Sequence, residues 1–290
     1  YLDLFSMFAS LSVGYNHPYV LEQSERLKIA AINKPTNSDV YSEEMAQFVQ
    51  TFKRVAQPDY LPMTFFIEGG GLAVENALKA AFDWKRRKNL AKGSSVRGEK
   101  VIHFKQCFHG RTGYTMSLTD SPDKRKTMYF PKFDWPRITN PKITFPIKEN
   151  IDHIVELENK AIKEIKDAII TDPDNISSII IEPIQGEGGD NHFRCEFMES
   201  LRSIADENDI ILIYDEVQTG VGVTGKMWAH QNFSNTDCGS EECKCGDGVL
   251  AKPDIISFGK KTQVCGVAAS KRFDEVDGNV FRESSRINST

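Results

Sequence analysis

Short apolar runs punctuate the chain, and between them apolar positions recur at helical spacing. Residues 63–68 (MTFFIE) are aromatic and β-branched, which predicts a buried strand. Three glycines follow, and residues 72–88, rich in Ala, Leu, Glu and Lys, predict a helix. The runs Val101-Ile102, Ile179-Ile180-Ile181, Ile210-Ile211-Leu212-Ile213 and Ile255-Ile256 predict further short strands. Residues 151–170 carry apolar side chains at 151, 154, 155, 157, 161, 162 and 165, and residues 197–207 behave similarly, so both predict helices with one buried face. Strands apolar on both faces that alternate with helices mean α/β architecture, with a mostly parallel sheet covered by helices. The proline-rich stretch 131–146 is expected to be an ordered connection crossing the surface.

Composition narrows the class. Of 290 residues, 40% are hydrophobic and 27% charged, which excludes wholesale disorder. Thirty-six basic against 41 acidic residues leave a net charge of −5, which argues against a nucleic-acid partner, since that needs a clustered basic face. No apolar run approaches the roughly 18 residues of a membrane span, and no secretory leader is visible. Cys107, Cys195 and Cys265 sit singly among apolar segments, as buried thiols do, so a reduced, cytoplasmic setting is expected. The chain opens on Tyr1 and stops at Thr290 without a closing helix, so both ends are expected to be cut from a longer protein.

In such sheets chemistry gathers at the carboxyl ends of the strands. Gly69-Gly70-Gly71 stands between a strand and a helix, where bare N–H groups can cradle a phosphate; a tight turn explains it as well. Asp215 ends a strongly apolar strand, where a carboxylate calls for a positive or hydrogen-bonding partner. A pyridinium nitrogen would serve, and so would a helix cap or a structural ion pair. Lys260 and Lys261 follow another apolar strand and could supply a Schiff-base lysine, or could be two solvated surface lysines. Phe108-His109-Gly110-Arg111 offers a ring that could stack on a flat cofactor and a guanidinium that could grip a carboxylate; a core Phe and a surface Arg is the plain alternative. Phosphate cradle, stacking ring, strand-end Asp and strand-end Lys together make the inventory of a pyridoxal-phosphate enzyme.

The blocks IIIEPIQGEGGD (179–190), LIYDEVQTGVGVTG (212–225) and SFGKK (257–261) resemble the class III, or ω-, aminotransferases, which are fold-type I pyridoxal-phosphate enzymes. FIEGGGLAVENALKAAFDWK (66–85), CFHGRTGYTMSLT (107–119), FPKFDWPRI (130–138), NKPTNSDVYS (33–42) and KKTQVCGV (260–267) are similar to the branch acting on the ε-amino group of L-lysine. The resemblance runs from Tyr1 to Thr290. It implies a large domain with a mostly parallel seven-stranded sheet over residues 46–290, an N-terminal segment 1–45 belonging to a small domain or dimer arm, and a C-terminal small domain beyond this chain. It further implies pyridoxal 5′-phosphate as cofactor, L-lysine and 2-oxoglutarate as substrates, and a homodimer with shared active sites. The products would be 2-aminoadipate 6-semialdehyde, which cyclises, and glutamate.

For matched positions the resemblance implies roles. Asp215 would pair with the pyridinium nitrogen and Gln218 touch the phenolic oxygen. Val217 and Phe108 would pack on opposite ring faces, and Gly70 and Gly71 hold the phosphate. Arg111 would receive the α-carboxylate of lysine, Glu187 would gate substrate selection, and Thr290 would reach the phosphate of the neighbouring subunit. Gly259, a small residue before Lys260, favours Lys260 over Lys261 as the Schiff-base lysine. The span from Asp215 to Lys260 exceeds the family pattern by about one short loop, matching the insertion 234–248. Its Cys238, Cys243 and Cys245 are spaced C-x4-C-x-C, short of the paired four-ligand pattern of a zinc site, so no metal is assigned. Other functions stay open: an ω-aminotransferase for 4-aminobutyrate or ornithine, a non-catalytic chain pairing with a longer partner, or a metal-binding regulator built on the cysteine loop.

Overall fold

The computed structural model describes residues 2–32, 41–233 and 250–287. Helices α1 (Ser6–Ala9), α2 (Pro18–Glu22), α3 (Ser24–Ile32) and α4 (Glu43–Val55) come first. In α1 the φ angles are all positive, from 45° to 59°, so this turn is left-handed. The Ser42 side chain caps α4 by accepting from the Met45 N–H at 3.2 Å.

Strand β1 (Met63–Ile67) leads into α5 (Gly70–Ala91), then β2 (Lys100–Phe104), α6 (Thr115–Leu118), β3 (Arg137–Ile138) and α7 (Ile147–Thr171). There follow β4 (Ile176–Ile181), the short pair β5 (Ile184–Gln185) and β6 (Asn191–His192), α8 (Cys195–Glu207), β7 (Ile211–Asp215), β8 (Ile255–Phe258) and β9 (Cys265–Ala269). Seven strands form one sheet in the order β1-β9-β8-β7-β4-β2-β3. Only β9 runs against its neighbours; the other six are parallel.

The period of two along a strand distributes the apolar run to both faces. Ile179, Ile181, Leu212 and Tyr214 enter one core with Phe197 and Leu201 of α8, Ala161 and Ile165 of α7. Ile180, Ile211 and Ile213 enter the other with Val74, Leu78 and Trp84 of α5. The sheet is therefore buried on both sides, as the continuous apolar runs predict.

The stretch 131–146 departs from the expected surface connection. It contains β3, and Trp135 and Ile138 are buried. Ile138 joins the α7-side core, and the Thr139 N–H and hydroxyl both donate to the Glu164 carboxylate of α7. An apolar residue flanked by prolines suits an edge strand, where a missing N–H costs nothing.

Candidate active site

The parallel strands β1, β2, β4, β7 and β8 end on one edge, and the loops leaving it carry the predicted chemistry. Asp215 is the last residue of β7 and only 4% exposed. Its carboxylate accepts three hydrogen bonds. His109 Nδ1 lies 2.8 Å from Oδ2, while Ser257 Oγ at 3.0 Å and the Val217 N–H at 3.1 Å reach Oδ1. Register explains Ser257: β7 and β8 pair in parallel with Asp215 opposite it.

Behind this group Glu182, the first residue after β4, is buried and accepts from the Phe108 N–H at 2.8 Å. Burial, reinforced by the Asp215 charge, pushes its carboxyl well above the usual range. The site thus holds one carboxylate with three donors beside a carboxyl that burial drives toward the neutral form.

The glycine turn presses against the same loops. Gly69 adopts φ +96°, in the left-handed region, and α5 starts at Gly70. A Cβ at Gly70 would stand 2.8 Å from Val217 Cγ1, so only glycine lets the helix start approach the loop after β7. The first N–H groups of a helix lack intrahelical partners and face the same edge. Glu75, one turn into α5, accepts from the Tyr114 N–H at 2.6 Å and from the Thr112 hydroxyl, which fastens the loop carrying Phe108 to Arg111.

Lys260 Nζ donates to Gln218 Oε1 at 3.0 Å and to the Phe8 carbonyl at 3.1 Å. Burial lowers its amine, opposed by the charges of Asp215 and Glu182. Lys261 Nζ instead donates to the Gln218 carbonyl at 2.7 Å and the Ala9 carbonyl at 3.0 Å. Burial pushes Lys261 down to about 8, helped by Lys260 and opposed by Glu216. The two lysines therefore feel different acids: Lys260 the Asp215–Glu182 pair, Lys261 Glu216.

Phe108 is half-buried, and Lys126 Nζ lies 5.6 Å from its ring centre. Glu187 accepts from Ser121 Oγ at 2.6 Å and Lys126 Nζ at 2.5 Å. Arg111 is exposed. Thr290 and the cysteines 238, 243 and 245 lie outside the described residues. Neither Asp215 nor Lys260 lines the cavities of about 860 and 1360 Å³, and of the predicted site residues only Gln218 borders the second. Sequence reasoning gave no role to His109 beyond its place in the quartet, and none to Glu182, Glu75, Ser257 or Lys126. The quartet and the EP step after β4 were the available signals.

Chemically, the edge offers unpaired helix N–H groups for an anion, a donor-held carboxylate for a protonated heterocycle, apolar walls from Val217 and Phe108 for a flat ring, and a half-buried amine. That donor set fits pyridoxal phosphate.

The aminotransferase class-III profile matches residues 1–274. A protein of Mycobacterium tuberculosis named L-lysine-epsilon aminotransferase is 49% identical over all of this chain, which covers 61% of that protein. One of Streptomyces clavuligerus with the same name is 47% identical, again over the whole chain and 60% of the relative. The solved structure of a lysine aminotransferase from M. tuberculosis superposes with a TM-score of 0.90, over all of this chain and 63% of that one. The chain thus spans about three fifths of the length of the curated relatives it matches. The seven-stranded mixed sheet flanked by helices is the fold-type I arrangement expected from the sequence.

Proposed function

The chain belongs to the class III aminotransferases, and on that premise we propose that it is part of an enzyme transferring the ε-amino group of L-lysine to 2-oxoglutarate. The observation that carries the reading is the meeting of Asp215 and Lys260 at the ends of neighbouring parallel strands, joined through the loop of Gln218. Pyridoxal phosphate, when bound, supplies a protonated ring that accepts electrons from the substrate carbon. The remaining work falls to this chain's side chains.

Asp215 would keep the ring nitrogen protonated, and His109 and Ser257 hold its carboxylate in place for that. The N–H groups of Gly70 and Gly71 would hold the phosphate, while Val217 and Phe108 pack on the ring faces. Gln218 would hydrogen-bond the phenolic oxygen. Lys260, whose amine burial lowers from its ordinary value, would move the proton from the ε-carbon of lysine. Arg111, on the exposed side, would receive the α-carboxylate bidentately, so that the ε-amine and not the α-amine arrives at the ring. Glu187 would discriminate between the two substrates. Residue Thr290 would serve the neighbouring subunit of a homodimer.

The test is borohydride trapping. The purified protein is incubated with pyridoxal phosphate, reduced, digested and mapped, and a donor panel of L-lysine, ornithine and 4-aminobutyrate is run alongside. An adduct on Lys260 and a preference for lysine are expected. An adduct on Lys261 corrects the lysine; preference for another donor corrects the substrate; absence of any adduct overturns the reading.

A further inference from the structure

Ser121, Lys126 and Glu187 form a cluster beside the site. Lys126 closes a single 3-10 turn (Lys124–Lys126), in which the Arg125 N–H donates to the Asp123 carboxylate and the Lys126 N–H to the Asp123 carbonyl. From there its ammonium reaches Glu187 Oε1 at 2.5 Å, the oxygen that also accepts from Ser121 Oγ at 2.6 Å. Both donors hold one oxygen. The other, Oε2, is buried and has no partner among the described residues. Lys126 also stands 5.6 Å from the centre of the Phe108 ring, so the pair sits against the wall proposed to pack on the cofactor. The Glu187 charge is felt at Glu182, which places it in the field of the same site.

The electrostatic problem is specific to the reaction proposed above, on which this inference rests. L-Lysine enters as a net cation, and 2-oxoglutarate enters the same space as a dianion. A lone Glu187 carboxylate would favour the first and repel the second. We propose that Lys126 is a specificity-determining residue that neutralises Glu187, so that one site admits both a cationic amino donor and a dicarboxylate acceptor. The pair is partly exposed, with side-chain accessibilities of 34% and 24%, so its effect on an approaching charge is screened and moderate.

Lys126→Met in the cofactor-loaded protein tests this. The KM for 2-oxoglutarate should rise about fivefold with kcat unchanged, while the KM for L-lysine stays level or falls. Lys126→Arg should restore the acceptor KM. Titration calorimetry with glutarate, a dicarboxylate that cannot react, should show the same weakening in Lys126→Met and the same rescue. Parallel changes in both KM values, no change in either, or failure of the Arg variant to rescue overturns the inference. A wild-type protein inactive on lysine overturns the proposed function instead, and the glutarate titration then still decides the role of Lys126. Unaltered glutarate binding in Lys126→Met overturns it there too.

Discussion

The His109 ring and the Asp215 carboxylate, 106 residues apart in the chain, meet at 2.8 Å with both side chains buried. An ionised carboxylate only accepts, so the imidazole donates through Nδ1 and its orientation is set by Asp215. In return the ring fixes Oδ2, while Ser257 and the Val217 N–H fix Oδ1. His109 therefore acts through Asp215 and is a positioning residue. His109→Phe keeps the volume and removes the donor. A buried acceptor left without one partner loses about 1–3 kcal/mol. Cofactor affinity, read by absorbance titration, should fall about tenfold or more, and His109→Asn should recover part of it. Equal affinities in all three proteins would show that the ring only fills space.

The sheet was legible because its strands carry uninterrupted apolar runs, which only a doubly covered sheet accommodates. Asp215, Lys260 and the Gly69–Gly71 turn were legible because each breaks such a run at its carboxyl end. The pairing of His109 with Asp215 was not, because it joins two loops brought together by strand order. No local pattern encodes the reach of Lys126 to Glu187, set by a 3-10 turn and a loop distant in sequence. Strand β9 was missed for another reason: Gly266, Ala268 and Ala269 are small, and lack the β-branched signature that marked its neighbours. Gly266 is required there, since a Cβ would stand 2.4 Å from the Phe65 carbonyl of β1. Strand β3 was hidden by the prolines around it.

Trp84 makes the core on the α5 side a testable quantity. It is fully buried, and its indole N–H donates to the Arg272 carbonyl at 3.0 Å. Helix α5 must stay seated on the sheet for Gly70 and Gly71 to remain at the site. Trp84→Ala should cost about 3–5 kcal/mol of stability, measured by urea unfolding. Trp84→Phe should recover most of this, less about 1 kcal/mol for the carbonyl left without its donor. A loss below about 1 kcal/mol in Trp84→Ala would mean that this core repacks around the gap.

Lys261 predicts a stability that rises with pH. Burial pushes its amine from the ordinary 10.5 down to about 8. Below about pH 8 the amine is charged in both folded and unfolded chains, and the cost of burying that charge is fully present. Between about 8 and 10.5 the unfolded chain binds more protons than the folded one, so the unfolding free energy increases with pH. Lys260 is lowered in the same direction and adds to the trend. Lys261→Met removes its share while leaving Lys260 in place. Wild type should therefore gain on the variant by about 2 kcal/mol between pH 7.5 and 10.5, read from urea midpoints at each pH. A difference that stays constant would mean that the two carbonyls holding the ammonium, from Gln218 and Ala9, offset its burial. A difference that shrinks would mean that they overcompensate. The expected sign follows from burial, helped by the charge of Lys260, outweighing Glu216 and the two carbonyl acceptors.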